Sequence, residues 1–194
     1  KGDLVSSSIG FKNDPEDAQC RLITSTHKLK KGELTCINGY FPQGESRDHP
    51  TKFPYKKKFF EDLMSHLDES FSKEQNIIIL GDLNISPQDI DIGIGENNRK
   101  RWLQTGKCSF LPEEREWLDS FIGDKFIDSF RVINKSPNQY SWWSYRANSR
   151  ANNKGWRIDY NIVSKSLLNK IEDASILQNV FHSDHCPVKL KLKI

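Results

Sequence analysis

The sequence predicts an α+β protein built as a mixed α/β sandwich, in which short strands pack against a few helices. The chain has 194 residues, 36% of them hydrophobic and 28% charged, so it fits one domain, spanning residues 1–194, more easily than two. Most apolar runs are short and are separated by brief polar connections, as strands are. Only two stretches have the apolar spacing of an amphipathic helix.

Three short apolar runs at residues 4–5, 21–23 and 34–37 predict the first strands. Residues 30–33 lie between the last two runs and have the composition of a hairpin turn. A helix is expected from about residue 55 to residue 71, because apolar side chains recur there at i, i+3 and i+4. The residues that share this apolar face are Phe59, Phe60, Leu63, Met64 and Leu67.

The middle of the chain predicts one buried strand, one loop and a second helix. Residues 77–80 form a brief β-branched run that is typical of a buried strand. Residues 86–109 are polar and rich in Gly, which indicates a loop. A helix is expected over residues 112–122, because its first turn has Pro112 followed by two acidic residues that suit the helix dipole.

The last third of the chain predicts mostly strands. Residues 126–130 and 140–142 have the composition of short strands around a loop. Residues 157–163 predict a longer strand, and residues 188–192 alternate apolar and basic side chains as a half-buried strand does. Strands dominate over helices, which is the basis for the sandwich prediction.

Composition excludes several classes of protein. No apolar run approaches the ~20 residues of a membrane span, and no basic-then-apolar leader is present, so we expect neither membrane insertion nor secretion. The net charge of +3 favours a nucleic-acid partner only weakly. The cysteines are widely spaced without a C-x-x-C pair, so we expect reduced thiols, buried as small apolar groups, in a cytoplasmic protein. They are Cys20, Cys36, Cys108 and Cys186.

Oxygen-bearing side chains follow the predicted strand at residues 77–80. Asp82 and Asn84 come directly after Gly81, which lets the backbone turn, and both can point into one cleft. A carboxylate and an amide at such a place suit Mg²⁺ or Mn²⁺ and can also position a water molecule. The same Gly-Asp-x-Asn pattern is equally typical of a turn or a helix cap.

Two further acidic positions are candidates for the same chemistry. Asp184 and His185 lie next to each other before the last strand, where His can accept a proton and Asp can ligate a metal or orient the ring. Asp-His pairs are also common on ordinary surfaces. Asp159 lies in an otherwise apolar strand and must be either functional or paired with a neighbouring Arg or Lys, because burying an unpaired charge is costly.

Basic and aromatic residues are interleaved in two segments, residues 97–107 and residues 140–157. Such a mixture offers phosphate contacts together with flat faces that stack on bases or wedge into a duplex. A single basic run is more often only a solvated face. Two such segments near candidate metal-binding acids favour a nucleic-acid partner.

Several runs of residues, taken in their order, resemble the exonuclease III family of bacteria, which belongs to the endonuclease/exonuclease/phosphatase superfamily together with DNase I. The resemblance covers nearly the whole chain, and the ordered set is far more specific than any one motif. The matching runs are residues 38–47, 81–87, 89–111, 109–114, 142–146, 157–159 and 183–185.

The resemblance implies a four-layer α/β-β/α sandwich of two mixed β-sheets, and an enzyme that hydrolyses DNA phosphodiesters with Mg²⁺ or Mn²⁺. The expected substrate is double-stranded DNA with abasic sites, nicks or 3′ ends, and the expected reactions are 3′-to-5′ exonuclease, abasic-site endonuclease and 3′-phosphatase. We expect a monomer without membrane contact, in the cytoplasm of a bacterium, where its substrate lies in the nucleoid.

The resemblance also implies a role for each matching residue. Tyr40 contacts the scissile phosphate, and Asp82 activates the attacking water or handles its proton. Asn84 supports the transition state, and Asp159 supports the catalytic groups. His185 is the base or a donor to the phosphoryl oxygen. The metal ligands that the family pattern implies are Asp82, Asn84, Asp184 and His185.

The DNA-binding positions implied by the resemblance lie in the two basic segments and just before the first predicted helix. Trp142 falls on the aromatic that sits beside a flipped abasic sugar. The full set is Arg47, Arg99, Lys100, Arg101, Lys107, Trp142, Tyr145 and Arg146.

The chain departs from the family at its start. The family begins with a strand that carries Asn, followed by a Gln-Glu pair whose Glu ligates the metal, and neither precedes the run at residues 4–5. We therefore expect an N-terminally truncated domain with one incomplete sheet. Cys186 stands where small residues are usual, and Trp143 adds bulk to the aromatic segment. Two alternatives remain open: a non-catalytic DNA-binding fragment, or a phosphatase of the superfamily that acts on small molecules.

Overall fold

A computed structural model describes residues 2–11, 20–72, 75–123 and 125–194. The strands of the described residues are β1 (Asp3–Ile9), β2 (Leu22–Lys28), β3 (Glu33–Tyr40), β4 (Ile77–Asp82), β5 (Phe126–Asp128), β6 (Trp142–Trp143), β7 (Gly155–Trp156), β8 (Asp159–Ser164), β9 (Ile171–Ile176) and β10 (Val188–Leu192). The α-helices are α1 (Lys52–Ser70), α2 (Glu96–Gln104), α3 (Pro112–Phe121) and α4 (Ser129–Ile133).

Six of the strands form one mixed sheet in the order β1-β2-β3-β4-β8-β5. β3 and β4 are parallel, since α1 carries the chain back across the sheet between them, and the other neighbours are antiparallel. β9 and β10 form a separate antiparallel pair. β6 and β7, each two residues long, form another antiparallel pair. The order places β4 between β3 and β8, so the ends of these three strands lie side by side.

The core lies between α1 and the six-stranded sheet. α1 begins at Lys52, three residues before the predicted start, because Pro54 is tolerated in a first turn where its missing N–H has no partner to lose. Each fully buried Leu, Ile or Phe contributes about 1.5–3 kcal/mol to folding. The buried residues contributed by α1 and the sheet include Phe59, Phe60, Leu63, Leu67, Leu22, Ile37, Ile77 and Ile79.

β1 is the edge strand of the sheet, and all seven of its residues are exposed. Leu4 is 62% exposed and Ile9 is 59% exposed, so this strand contributes little to the core. Its pairing with β2 is antiparallel and shifts register between Leu4 and Ser6. Backbone hydrogen bonds rather than side-chain burial therefore hold β1 in place.

The prediction of a loop over residues 86–109 is wrong in its middle, because α2 occupies Glu96–Gln104. α2 has no buried residue among those described, so it lacks the apolar stripe from which a helix is recognised. Exposed ion pairs help it instead, such as Lys100 Nζ to the Glu96 carboxylate at 2.7 Å, one helical turn apart. The basic cluster predicted to lie in a loop therefore lies on a helix.

The predicted strand over residues 126–130 is also shorter than expected. β5 ends at Asp128, whose carboxylate accepts hydrogen bonds from two backbone amides at the start of α4, at 3.1 and 3.3 Å. Such a cap stabilises a helix start and ends the extended conformation. The strand predicted at residues 140–142 begins at Trp142 and pairs with β7.

Two arginines and two aspartates form a largely buried network of ion pairs. Arg157 is 1% exposed and donates from Nε to Asp91 Oδ1 at 2.7 Å. Its Nη2 lies 2.7 Å from Asp128 Oδ2, and Arg131 Nη2 lies 2.6 Å from Asp91 Oδ1. Arg157 ends one of the segments expected to face nucleic acid, and that expectation is wrong for this residue because its charge is used inside the protein.

Within the described part of the chain, no helix is both long enough and apolar enough to cross a bilayer. All four cysteines are free, as expected. Cys108 and Cys186 are buried, whereas Cys20 is exposed and Cys36 is half-buried, so the expectation that all four are buried is wrong for these two.

Candidate active site

Three of the predicted catalytic residues lie side by side across neighbouring strands. In the parallel register of β3 and β4, Tyr40 is the partner of Asp82. In the antiparallel register of β4 and β8, Asp82 is the partner of Asp159. The sheet therefore brings a phenol and two carboxylates into one row at its edge, although the three come from distant parts of the sequence.

Close approach of two backbones makes this row possible. Gly81 has φ +126°, and a Cβ built on it would lie 2.0 Å from the carbonyl oxygen of Gly39 on β3. Any side chain there would push β3 and β4 apart, so only glycine fits at this position. The glycine before Asp82 in the sequence motif thus serves the sheet itself.

Asn84 turns back onto Asp82 and fixes its carboxylate. Its backbone N–H donates to Asp82 Oδ1 at 2.8 Å, and its Nδ2 donates to Asp82 Oδ2 at 3.1 Å. Nδ2 also donates to the carbonyl oxygen of Phe41 at 2.9 Å. Asn84 adopts φ +54°, a left-handed conformation that Asn tolerates better than most residues.

A buried lysine holds the backbone of Asn84. Lys56 on α1 is fully buried, and its Nζ donates to the Asn84 carbonyl oxygen at 2.9 Å and to Glu114 Oε1 at 2.6 Å. Glu114 in turn accepts the backbone N–H groups of Ser109 and Leu111. The first helix is thereby tied to the loop that carries Asn84.

Asp159 and His185 form a hydrogen-bonded pair, with Nδ1 of the ring 2.9 Å from Asp159 Oδ2. Asp159 is itself held by Ser141, whose Oγ accepts its backbone N–H at 3.1 Å. Burial disfavours the charged ring, but the hydrogen bond and charge of Asp159 outweigh it, so the pKa of His185 is raised. The pair leaves Nε2 of the ring as the nitrogen available to a substrate.

Asp82 is the most strongly perturbed group of the row. Burial, and after it the charge of Asp159, raise the pKa of Asp82 from its usual 3.8 to about 7. The hydrogen bond from the backbone N–H of Asn84 acts in the opposite direction. A carboxylate with such a pKa can accept a proton near neutral pH, as a general base must.

This shift predicts a pH-dependent cost to folding. Because the folded-state pKa of Asp82 exceeds its unfolded value, the native state binds the extra proton between pH ~4 and ~7, and stability falls as pH rises through that range. The variant Asp82→Asn removes this cost. We expect the free energy of unfolding of this variant, relative to that of the parent, to rise by about 2–4 kcal/mol from pH 4 to pH 8. Urea unfolding in EDTA measures this difference.

The matched control for that experiment is Asp173→Asn. The hydrogen bond and charge of Lys189 lower the pKa of Asp173, so this exposed carboxylate stabilises the fold above its unfolded pKa. Relative to the parent, the free energy of unfolding of Asp173→Asn should therefore fall slightly as pH rises, whereas that of Asp82→Asn should rise. If the free energies of unfolding of Asp82→Asn and the parent changed equally with pH, the raised pKa of Asp82 would be contradicted.

Asp184 is held by hydrogen bonds from residues 140–157, the aromatic segment. Its Oδ2 accepts the indole N–H of Trp142 at 3.0 Å, and its carbonyl oxygen accepts the backbone N–H of Trp143 at 2.9 Å. Burial acts to raise the pKa of Asp184, but the hydrogen bond from Trp142 prevails and the pKa is lowered. Asp184 is therefore a negative charge beside His185 at neutral pH.

A cavity of about 270 Å³ is lined by five of the predicted catalytic and metal-binding residues and by aromatic rings. Among these rings, Trp156 packs edge-on against Trp102 and Trp142, with ring centroids 4.7 and 5.9 Å apart. A cavity lined by both acids and aromatic rings suits a ligand that is both charged and flat-faced. Its lining residues are Tyr40, Gln43, Asp82, Asn84, Trp102, Ser109, Trp142, Trp156, Ile158, Asp184 and His185.

The site fits a divalent cation by its donor chemistry. Among the described residues, no three His, Cys, Asp or Glu side chains converge as a ready-made metal cage. Mg²⁺, however, is usually held by one or two carboxylates together with water and phosphate oxygens. Asp82, Asn84 and Asp184 line the cavity, and their carboxylate and amide oxygens are donors of the kind that such a cation prefers.

Besides Trp142, four of the predicted DNA-binding residues lie outside α2, in two places. Arg47 and Lys107 lie together beside the cavity, because Arg47 N donates to the Gly106 carbonyl oxygen and Lys107 Nζ lies 5.0 Å from the centre of the Trp102 ring. Tyr145 is 80% exposed in the segment between β6 and β7, next to the exposed Arg146.

The remaining basic residues lie on α2. Arg99 Nη1 is 3.0 Å from Asp89 Oδ2, and Lys100 pairs with the acidic residue one turn earlier. Arg101 is exposed on the same helix. None of these three lines the cavity, and two of them already have carboxylate partners.

Sequence reasoning missed several residues that build the site. Lys56 continues the helical spacing of the buried face of α1, and a lysine at such a position is the signal that it has a buried partner. Arg21 Nη1 donates to the Tyr40 carbonyl oxygen at 3.1 Å, with its guanidinium 4.9 Å from the centre of the Tyr40 ring. Neither Arg21 nor Ser141 has any feature in the sequence that marks its role.

The profile of the endonuclease/exonuclease/phosphatase family matches residues 2–185, so the chain belongs to that family. Within it, the chain is similar to exodeoxyribonuclease III of Haemophilus influenzae, with 49% identity over 189 residues. This match covers 95% of the chain and 71% of that relative. The chain is also 38% identical to an exodeoxyribonuclease of Bacillus subtilis, over 95% of its own length and 69% of the relative. The resemblance inferred from the motifs is thereby confirmed.

Solved structures give the same result for the fold. A 3′ phosphatase from Neisseria, bound to a product DNA hairpin, has a TM-score of 0.87 and 26% identity, and the match covers 100% of this chain and 72% of that one. An AP endonuclease from Archaeoglobus fulgidus has a TM-score of 0.84, with coverage of 100% and 72%. The predicted DNase I-like fold class is confirmed by these likenesses.

Proposed function

We propose that the protein is a divalent-metal-dependent DNA phosphodiesterase of the exonuclease III type. It would cut duplex DNA beside abasic sites, and remove nucleotides and blocking phosphates from 3′ ends. The observation that supports this best is the row of Tyr40, Asp82 and Asp159, with His185 hydrogen-bonded to Asp159. Tyr40, Asp82 and His185 line the aromatic cavity. The relatives named exodeoxyribonuclease agree with the proposal.

The arrangement accounts for hydrolysis step by step. A water oxygen attacks phosphorus while Asp82, held by Asn84, accepts the water proton. The bond between phosphorus and the 3′ oxygen breaks, and that oxygen takes a proton from solvent water. Asp82 afterwards returns its proton to the solvent, so the step balances. His185, oriented by Asp159, donates from Nε2 to a phosphoryl oxygen. The exposed hydroxyl of Tyr40 contacts the same phosphate.

The metal would be held by oxygen donors. Asp82, Asn84 and Asp184 supply carboxylate and amide oxygens, which suit Mg²⁺ or Mn²⁺. His185 is the weakest member of the expected set, because its Nδ1 is bonded to Asp159 and imidazole suits other metals better. A bound divalent cation would neutralise charge that develops on the phosphoryl oxygens.

The DNA would lie across the cavity. Arg47 and Lys107 on one side, and Tyr145 with Arg146 on the other, would contact the phosphate backbone and bases. The set on α2 (Arg99, Lys100 and Arg101) would extend this surface. Trp142 would stand beside an abasic sugar, whose missing base lowers the cost of turning it out of the helix. We propose a monomer that acts on bacterial DNA in the cytoplasm.

Metal removal gives the direct test of this proposal. The full-length protein is incubated with a duplex that contains one abasic-site analogue, in Mg²⁺, in Mn²⁺ or in EDTA. We expect a single cut beside the analogue with either metal, and a rate at least about 10³-fold lower in EDTA, because the cation supplies several kcal/mol of charge stabilisation. Adding metal back should restore the rate.

Two controls separate the alternatives. The same duplex without the analogue should be cut only from its 3′ ends, and a small phosphate ester should be hydrolysed poorly. Efficient hydrolysis of the small ester alone would favour a phosphatase. Tight DNA binding without cleavage in any metal would favour a non-catalytic DNA-binding protein, for which the lack of a three-ligand metal cage among the described residues is the present argument.

A further inference from the structure

The loop between β9 and β10, residues 177–187, carries two of the residues proposed to act on the substrate, Asp184 and His185. We call it the catalytic loop. Its side chains can be useful only if its backbone is held still, because a catalytic group that moves by about 1 Å can lose about 10²-fold in rate. The loop contains no helix or strand of its own, so something outside it must fix its shape.

One side chain from another segment binds three carbonyl oxygens of this loop. Arg150, in the turn between β6 and β7, donates from Nη1 to Ser183 at 2.7 Å. Its Nη2 donates to Gln178 at 3.0 Å and to Val180 at 2.5 Å. These carbonyls are spread over six consecutive residues, so a single guanidinium group bridges the part of the loop that leads to Asp184.

Two aromatic rings hold the guanidinium in turn. The Arg150 guanidinium carbon lies 4.6 Å from the ring centre of Trp143 and 4.6 Å from that of Phe181. Such contacts attract the cation to the ring faces. Trp143 is buried and its backbone N–H binds Asp184, whereas Phe181 belongs to the catalytic loop itself. Arg150 therefore lies between the aromatic segment and the catalytic loop, at a contact that we call the joint.

The charge of Arg150 is used inside the protein. No carboxylate of the described residues forms an ion pair with it, and the side chain is half-buried. A planar fork of donors can serve several carbonyls at once, which a lysine ammonium on a flexible stem does not do in the same geometry. The contacts thus require arginine and not merely a positive charge.

We propose that Arg150 is a positioning residue, which clamps the catalytic loop so that Asp184 and His185 face the cavity. This inference rests on the function proposed above. The competing interpretation is that Arg150 binds a DNA phosphate, since it lies in the basic segment at residues 140–157. The direction of its hydrogen bonds, toward three protein carbonyls, favours the clamp.

The first test separates kcat from KM in the full-length protein. Both Arg150→Gln and Arg150→Lys are expected to lower kcat for abasic-site cleavage about 10- to 100-fold, with KM within about twofold of the parent. The matched control is Lys191→Gln, which removes one exposed positive charge from β10 outside the loop and should change neither constant. A rise in KM that Arg150→Lys restores, with kcat unchanged, would show a DNA contact and overturn the proposal.

The second test needs no DNA. Hydrogen exchange should become faster in Arg150→Gln at the amides of Trp143 and Cys186, which donate across the joint to Asp184 and Ser141, while β4 amides stay protected. Unchanged exchange at the joint would also overturn the proposal. If Arg150→Gln does not fold, Arg150→Lys is measured instead. A parent protein that cuts no DNA would refute the proposed function, and the exchange result would still decide the clamp.

Discussion

Asp82→Asn is expected to lower kcat for cleavage beside an abasic site by about 10³- to 10⁴-fold. The amide has nearly the same shape and can still accept the backbone N–H of Asn84, so the row at the sheet edge should persist. It cannot, however, accept a proton from the attacking water, and it removes a negative oxygen donor. Single-turnover rates with enzyme in excess over an abasic duplex measure the chemical step directly.

The control for this variant is again Asp173→Asn, which makes the same substitution on an exposed carboxylate of β9 and should leave the rate unchanged. A rate for Asp82→Asn within tenfold of the parent would rule out Asp82 as the group that takes the proton. The variant should also be more stable than the parent above pH 7, as argued from the pKa of Asp82. If Asp82→Asn loses activity but gains stability, the Asp82 carboxylate is a group that serves catalysis and destabilises the fold.

Arg157→Met is expected to destabilise the fold by about 3–5 kcal/mol. Arg157 is buried between Asp91 and Asp128. Without it, Asp91 keeps Arg131 as a partner, whereas Asp128 keeps no arginine or lysine side-chain partner among the described residues. Methionine fills much of the volume, so the loss should be electrostatic rather than a cavity effect. Urea unfolding monitored by tryptophan fluorescence gives the free energy of unfolding, and the midpoint should fall without a change in slope.

An exposed pair supplies the comparison. Arg47 donates two hydrogen bonds to Glu113, at 2.5 and 2.8 Å, yet its side chain is 46% exposed. Arg47→Met should therefore cost less than about 1 kcal/mol, because water screens such a pair. Equal losses for the two variants would show that burial does not control the strength of these arginine contacts, and would contradict the explanation given for Arg157.

The sequence predicts the members of the site better than it predicts how they meet. Asp82 and Asn84 stand out because they follow a buried β-branched run and a glycine, which is a local pattern. The contact between Asp159 and His185 joins residues 26 positions apart, and no local spacing encodes it. It depends on β8 pairing with β4 and on the catalytic loop reaching back to β8, which only the folded sheet specifies.

Elements with a strong periodic pattern were predictable, and those without one were not. α1 and α3 have buried apolar faces, so their spacing reveals them. α2 packs on the core only through the half-buried Trp102 and Leu103, and α4 is five residues long, so neither shows a repeated apolar spacing in the sequence. Arg157 resembles its basic neighbours in the sequence, since its two buried carboxylate partners lie far from it in the chain.

The position of β8 between β4 and β5 also affects when the enzyme becomes active as it is made. The ribosome releases β3, α1 and β4 early, and these can pair as soon as they emerge, because their contacts are close in sequence. Asp159 follows these elements in the sequence, and His185 lies a further 26 positions on. The centre of the sheet can therefore form in a nascent chain before the proposed catalytic pair has been synthesised, so the capacity to fold precedes the capacity to cut DNA.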